Sequence, residues 1–318
     1  MLNNVYLPEG ALISTYENRE YLSSICTLEK AADEGVILEA VATRCDSNFT
    51  LSVDLGQYTG IIPRDECAYT FDEPVKDIAV ITRVGKPVCF KICSIERDEE
   101  GETRIILSRR LAQLECLNNK LSSLIPGDII PAKITHLEQF GAFVDIGCGM
   151  VSLLSIDCIS VSRISHPSDR FCVGENISCV IKKNDEQGRR IYVTHKELLG
   201  TWEENAAGFE VGQTVTGVVR SIEDYGIFVE LKPNLAGLAE YKEGITVGQS
   251  VAVFIKNIIP ERMKIKLVLI DTYGAMEGTG KQMINYYRES ELTHIDTWRY
   301  SPDDCSKVVE TIFNDFSE

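Results

Sequence analysis

EQFGAFVDIG, residues 138–147, sets two phenylalanines either side of Gly-Ala in what reads as a short β-strand. Side chains alternate between the two faces of a strand, so if Val144 and Ile146 enter a core, Phe143 and Asp145 point outward. Strict alternation then puts Phe140 on the face opposite Phe143. A bulge at Gly141 resolves the conflict, because one extra residue there brings both rings to the same side. Two phenylalanines held out in water ask for a ligand.

The stretch recurs. PGDIIPAKITHLEQFGAFVDI (126–146) aligns without gaps on VGQTVTGVVRSIEDYGIFVEL (211–231), so Gly127 falls on Gly212, Phe140 on Tyr225, Gly141 on Gly226 and Phe143 on Phe228. An earlier copy, ILEAVATRCDSNFTLSVDL (37–55), keeps the order with one extra residue before Phe49. Each copy closes alike, with a Val-Gly turn, an alternating strand, a polar turn and a strand that begins with a base: VGKPVCFKI then RIILSRR, VGENISCVI then RIYVTHK, VGQSVAVFI then KIKLVLI. Internal repetition of this kind fixes the architecture before any single residue does.

Four or five short strands per copy, with glycine at the turns, predict small closed barrels. The expected fold class is all-β, three tandem small barrels joined by short helices, with a small helical tail; five strands closed by a long connection between the third and fourth would make each a five-stranded OB-fold barrel. The expected organisation is an N-terminal extension (1–33), a first repeat (34–110), a helical connector (111–125), a second repeat (126–198), a connector (199–210), a third repeat with a shortened loop (211–271) and a helical C-terminal tail (272–318). The first connector follows from the leucine stripe of RRLAQLECLNNKLSSL. The tail helix follows from Ser301 as N-cap, Pro302 in the first turn and Asp304 completing a capping box.

Composition removes several classes of function. No apolar run approaches the roughly 20 residues of a bilayer span, and the N-terminus carries acids where a secretion signal carries bases, so a cytoplasmic protein is expected. Eleven scattered cysteines without a CxxC, and four histidines without HxH or HxxxH, predict buried thiols and no metal or cofactor site. GAMEGTGKQ (274–282) fails as a phosphate loop: its glycines are spaced one residue too far apart and Gln282 stands where Ser or Thr would hold magnesium. It reads as a turn into a helix near Lys281. DEEGE (98–102) and PDD (302–304) read as solvated turns, and nothing resembles an activated nucleophile, so no enzyme and no small-molecule substrate are expected.

The net charge of −16 argues against a general nucleic-acid binder, but its distribution matters more. Residues 126–198 carry eight bases and nine acids, and residues 211–271 carry seven of each, so −15 lies elsewhere in the chain. The two repeats with aromatic pairs are near neutrality. Single-stranded bases stack on exposed rings while neighbouring cations meet phosphate. The competing structural reading keeps Phe140 in the core and only Phe143 half exposed.

Taken together, the aromatic-Gly-x-Phe-Val segment, the Val-Gly turn and the Asp-x-x-Gly-Arg turn of NDEQGRR resemble the RNA-binding repeat of the ribosomal protein S-one family, over roughly residues 35–270. The resemblance implies an OB-fold whose strand-two and strand-three face holds single-stranded RNA. It carries over Phe140, Phe143, Asp185 and Arg189 in the second copy, with Ser155 where the family has histidine. In the third it carries over Tyr225 and Phe228, with Arg262 and Lys264 as candidate bases; Ile259 replaces the expected Asp, and Glu240 falls near the histidine position. The first copy keeps Phe49, but Thr50 and Ser52 replace the glycine and the outward phenylalanine, so its ligand face is expected to be degenerate. The implied partners are single-stranded RNA (mRNA) and the small ribosomal subunit, with no membrane. A protein-interaction adaptor that docks barrels on a ribosome or an RNA-processing enzyme is the alternative, and it fits the acidic charge and the missing histidine.

Overall fold

A computed structural model describes residues 6–71, 73–97, 103–185, 190–273 and 292–313. Three closed barrels follow one another along the chain. The first is built from β1 (Leu38–Cys45), β2 (Leu51–Asp54), β3 (Thr59–Ile62), β4 (Pro87–Arg97) and β5 (Thr103–Ser108). The second uses β6 (Ile129–Glu138), β7 (Gly141–Asp145), β8 (Val151–Ser155), β9 (Asn176–Asp185) and β10 (Arg190–Thr194). The third uses β11 (Thr214–Glu223), β12 (Gly226–Lys232), β13 (Leu235–Ala239), β14 (Ser250–Ile259) and β15 (Lys264–Thr272). In each, the fifth strand inserts between the third, which it meets in parallel, and the fourth, and the first and fourth close the ring. Alternation fills each interior: Leu51 and Val53, Ala142 and Val144, Ile227 and Val229 are fully buried at matching positions.

Helices α1 (Tyr16–Tyr21) and α2 (Ile25–Glu34) precede the first barrel, and α3 (Asp77–Ile81) lies in its strand-three to strand-four connection. Helix α4 (Arg109–Asn119) is the leucine-striped connector, N-capped by Ser108, and its Ala112, Cys116 and Leu117 join the core of the second barrel. Helix α5 (Trp202–Ala206) leads into the third and buries Trp202 there. The third barrel's strand-three to strand-four connection holds turns without a helix, whereas the second barrel's carries two short 3-10 turns. None of the helices among the described residues is long and apolar enough to cross a membrane.

The C-terminal segment differs from the capped helix expected of it. Among the described residues 292–313 there is no helix; strands β16 (Thr297–Arg299) and β17 (Glu310–Ile312) pair antiparallel. Ser301 does cap a backbone amide, but it is that of Val309, across a turn, at 2.7 Å. Burial decides the outcome: Trp298, Tyr300 and Phe313 enter the core of the third barrel, which a short helix with the same local signals cannot arrange. GAMEGTGKQ, with the helix expected near Lys281, lies outside the described residues, as do DEEGE and the last five residues.

The outward acid at or near the end of each barrel's second strand is not solvated in two of the three copies. Asp145 accepts the backbone N–H of Glu9 at 2.7 Å and those of Gly147 and Gly149, so the N-terminal arm covers it. Glu230 is gripped by Arg170 of the second barrel and by Arg220. Asp54 in the first barrel remains exposed and accepts the Gly56 N–H. In the second and third barrels this position is where the barrel is fastened to a neighbouring segment.

Candidate nucleic-acid interface

Gly141 opens β7, so Phe140 sits in the turn before the strand rather than at a bulge within it. The bulge lies on the facing strand β6, between Ile134 and His136. Gly141 is needed for a different reason. A Cβ there would stand 2.5 Å from the Leu154 carbonyl oxygen and 2.9 Å from Ser155 Cα, so only glycine lets β8 approach. Gly226 meets the Ala239 carbonyl at 2.5 Å in the same way. With the turn rather than a bulge setting the angle, the two rings come to one face. Phe140 and Phe143 have centroids 6.0 Å apart, at 89°, and Tyr225 and Phe228 repeat the pair at 6.1 Å and 89°. Phe140 is 55% exposed and Tyr225 69%, which excludes the core reading of the leading aromatic.

Cross-strand register shows what surrounds each pair, because directly paired residues share a face. In the second barrel His136 pairs with Phe143, Phe143 with Leu153, Leu153 with Tyr192 and Tyr192 with Lys183, a row that runs outward across all five strands. The His136 ring lies 6.4 Å from Phe143 at 24°, nearly parallel, with Nε2 2.7 Å from Glu138 Oε1. In the third barrel the same row reads Ser221, Phe228, Leu238, Lys266 and Asn257. In the first it reads Arg44, Ser52, Ile61, Ile106 and Ser94, without an aromatic ring. Phe49, the remaining first-copy aromatic, packs against that barrel's core and lies under the Arg64 guanidinium at 4.8 Å.

Ser155 ends β8 opposite Gly141, and its hydroxyl hydrogen-bonds the Asp157 carboxyl, holding that group below its usual value. Asp185 ends β9, half-buried, with Lys183 Nζ at 2.9 Å. Arg189 lies outside the described residues. Arg262 and Lys264 flank the turn between β14 and β15 and are exposed beside Tyr225 and Phe228. Ile259 ends β14 and Glu240 follows β13, exposed.

Sequence reasoning missed His136, Tyr192, Lys183 and Lys266. Tyr192 had a signal, since in RIYVT it alternates with the buried Ile191 and Val193. His136 had none, because only the bulge on β6 brings it opposite Phe143. Burial drives the thiols of Cys67 and Cys179 upward, which suits inert core cysteines, and among the described residues no cluster of His, Cys, Asp or Glu is arranged to hold a metal.

A face of adjacent rings with cations at its edge recurs on two of the three closed barrels, which defines a tandem-barrel protein. The S1 RNA binding domain family matches residues 123–196. Small ribosomal subunit protein bS1 of Staphylococcus saprophyticus is 28% identical over 322 residues, covering 96% of this chain and 77% of that protein. Small ribosomal subunit protein bS1 of Staphylococcus aureus (strain COL) is 30% identical over 274 residues, covering 81% of this chain and 67% of that protein. The protein of the same name in Rickettsia conorii is 29% identical, with 70% of this chain matching 40% of it. The chain belongs to the small ribosomal subunit protein bS1 family.

Proposed function

We propose that this protein binds single-stranded RNA on the outward faces of its second and third barrels and works in translation, holding mRNA at the small ribosomal subunit. The observation that carries this reading is the pair of orthogonal rings that recurs with the same geometry in both barrels and is lost from the first. Phe140, Phe143 and His136 with Tyr192 form one platform; Tyr225 and Phe228 form the other. Asp185 and Ser155 border the first platform, Arg189 remains the candidate base carried over from the family pattern, and Arg262 and Lys264 supply cations beside the second. Such platforms tolerate many sequences because every base has a π-face. Two linked platforms raise affinity through effective concentration rather than through new contacts. The protein is non-enzymatic in this reading and cytoplasmic, where ribosomes work. The first barrel serves structure or protein contact, which keeps part of the adaptor reading.

Binding of a labelled oligouridylate by the whole chain at low and moderate salt tests the proposal. Salt-sensitive binding that weakens in Phe143→Ala and in Phe228→Ala is expected. Absence of salt-sensitive binding, or indifference to both substitutions, removes it and leaves the adaptor.

A further inference from the structure

Beside the third barrel's rings lies an open cleft of about 510 Å³ whose walls come from three separate segments. The third barrel supplies Tyr225 and Phe228 with Arg262 and Lys264. The second barrel contributes Arg163, from the loop after its third strand. The C-terminal segment contributes Lys307 from the turn between β16 and β17. Arg220 also lines the cleft, but it is engaged with Asp169 and Glu230. Among the described residues, Arg163, Arg262, Lys264 and Lys307 have no ion-pair partner. Glu223 is the one acid on the wall, in a chain whose net charge is −16.

The walls are fixed to one another. Asn234, buried in the turn between β12 and β13, accepts the Val161 N–H at 2.8 Å and donates to the Lys196 carbonyl at 3.0 Å, while its own carbonyl accepts the Tyr300 hydroxyl. The Trp202 N–H donates to the Tyr300 carbonyl at 2.9 Å, and the Ile295 N–H to that of Gly127. A cleft held this way needs little ordering when a ligand enters.

We propose that Arg163 and Lys307 form a phosphate-binding wall facing the third barrel's rings, so that an RNA strand stacked on Tyr225 and Phe228 threads its backbone between the second barrel and the C-terminal sheet. The inference rests on the RNA reading above and adds residues outside the barrel motif. It also makes the C-terminal segment the third side of a binding site.

The test is binding of a fluorescein-labelled oligouridylate of about twelve nucleotides, within the range one OB fold covers, by the full chain and by Arg163→Ala/Lys307→Ala across a salt series. Each lost phosphate contact flattens the slope of log K against log salt by about 0.7 on a single strand. The double variant should therefore lose about 1.4 from the slope and bind more weakly at low salt, with an unchanged unfolding midpoint. Lys76→Ala, exposed on the first barrel, should match wild type. If wild type binds and Phe228→Ala weakens it, but the double variant keeps full affinity and slope, the cleft proposal is overturned and the RNA reading stands. If wild type does not bind, both fall. Competition by uridine monophosphate at concentrations equal to those of the oligomer's nucleotides would mark a mononucleotide pocket and overturn the threaded strand.

Discussion

Arg170 of the second barrel donates to Glu230 of the third from both terminal nitrogens, Nη1 to Oε1 at 3.0 Å and Nη2 to Oε2, and both side chains are buried. Burial pushes the guanidinium's pKa down and the Glu230 carboxylate opposes it, so the pair is held against a desolvation cost that their mutual contact and the hydrogen bonds around it offset. The Arg170 Nη2 also reaches the Pro233 carbonyl at 3.2 Å, beside the Asn234 that fastens the C-terminal segment. The second and third barrels are thus joined by ionic and hydrogen-bonded contacts as well as by the connector.

Glu230→Gln should destabilise this joint more than Arg170→Met. The first leaves Arg170 buried without its carboxylate and Arg220 with Asp169 alone, a loss of about 3–5 kcal/mol for a broken buried pair. The second leaves Glu230 still bound by Arg220, at 3.2 and 3.0 Å. Urea unfolding followed by Trp202 and Trp298 fluorescence measures the difference. Equal losses would mean that the Arg220 contact does not hold Glu230 by itself.

Each stacked base contributes about 1–3 kcal/mol by alanine substitution, or roughly 5- to 150-fold in Kd. Phe143→Ala and Phe228→Ala should each fall in this range for a strand long enough to reach both barrels, and their effects should add, since the rings lie on separate barrels. His136→Ala, at the edge of the second barrel's platform, should lose less than Phe143→Ala. Ser52→Ala, at the matching position of the first barrel, should lose nothing. Fluorescence anisotropy at one fixed salt concentration orders the four, and a loss at Ser52 would mean that the first barrel binds RNA as well.

The barrels were legible because their signals are periodic and repeated: alternation put Val144 and Val229 inside, and the aligned copies exposed Ser52 as the departure. What could not be read were contacts between residues distant in the chain. Asp145 and Glu230 carry the same outward signal as Asp54, and only tertiary packing decides that the first two are covered. The Ser301-Pro302 start has sound helix-capping chemistry, yet Trp298 and Tyr300 gain more from the third barrel's core than a marginal helix offers. Local propensity lost to burial there, as it commonly does. The Gly141 reading reached the right face for the rings by a different route, because glycine as a strand bulge and glycine under a close neighbour look alike in sequence.

Glu39 predicts a pH dependence. Its Oε2 accepts three backbone N–H groups, from Gly10, Leu12 and Ile13, and folds the N-terminal arm onto the first barrel. Burial raises its pKa, from 4.5 to about 7; the Leu12 N–H opposes the rise and the Glu9 carboxylate adds to it. Between those values the folded state keeps a proton that the unfolded chain has released, so the group's contribution to stability falls as pH climbs through the window. Glu39→Gln keeps the acceptor oxygen without the charge. Its stability relative to wild type should improve from about pH 4.5 to about pH 8 by up to about 3 kcal/mol. Parallel pH profiles for the two proteins would show that Glu39 does not carry the shift.

Trp298 tests whether the C-terminal sheet belongs to the third barrel. Its side chain is 1% exposed, packs with Tyr300 at 5.8 Å between ring centroids, and shares a core with Val229, Leu235 and Val253. Truncation of a buried tryptophan leaves a large cavity and costs about 3–5 kcal/mol. Trp298→Ala should therefore lower the stability of the third barrel by that amount and also weaken RNA binding, because Lys307 loses the sheet that holds it over the cleft. Phe228→Ala, which removes a half-exposed ring, should weaken binding with little effect on stability. Had the segment been a loosely attached tail, Trp298→Ala would leave the unfolding transition where it is, so the comparison of the two variants separates a structural wall of the cleft from an appendage beside it.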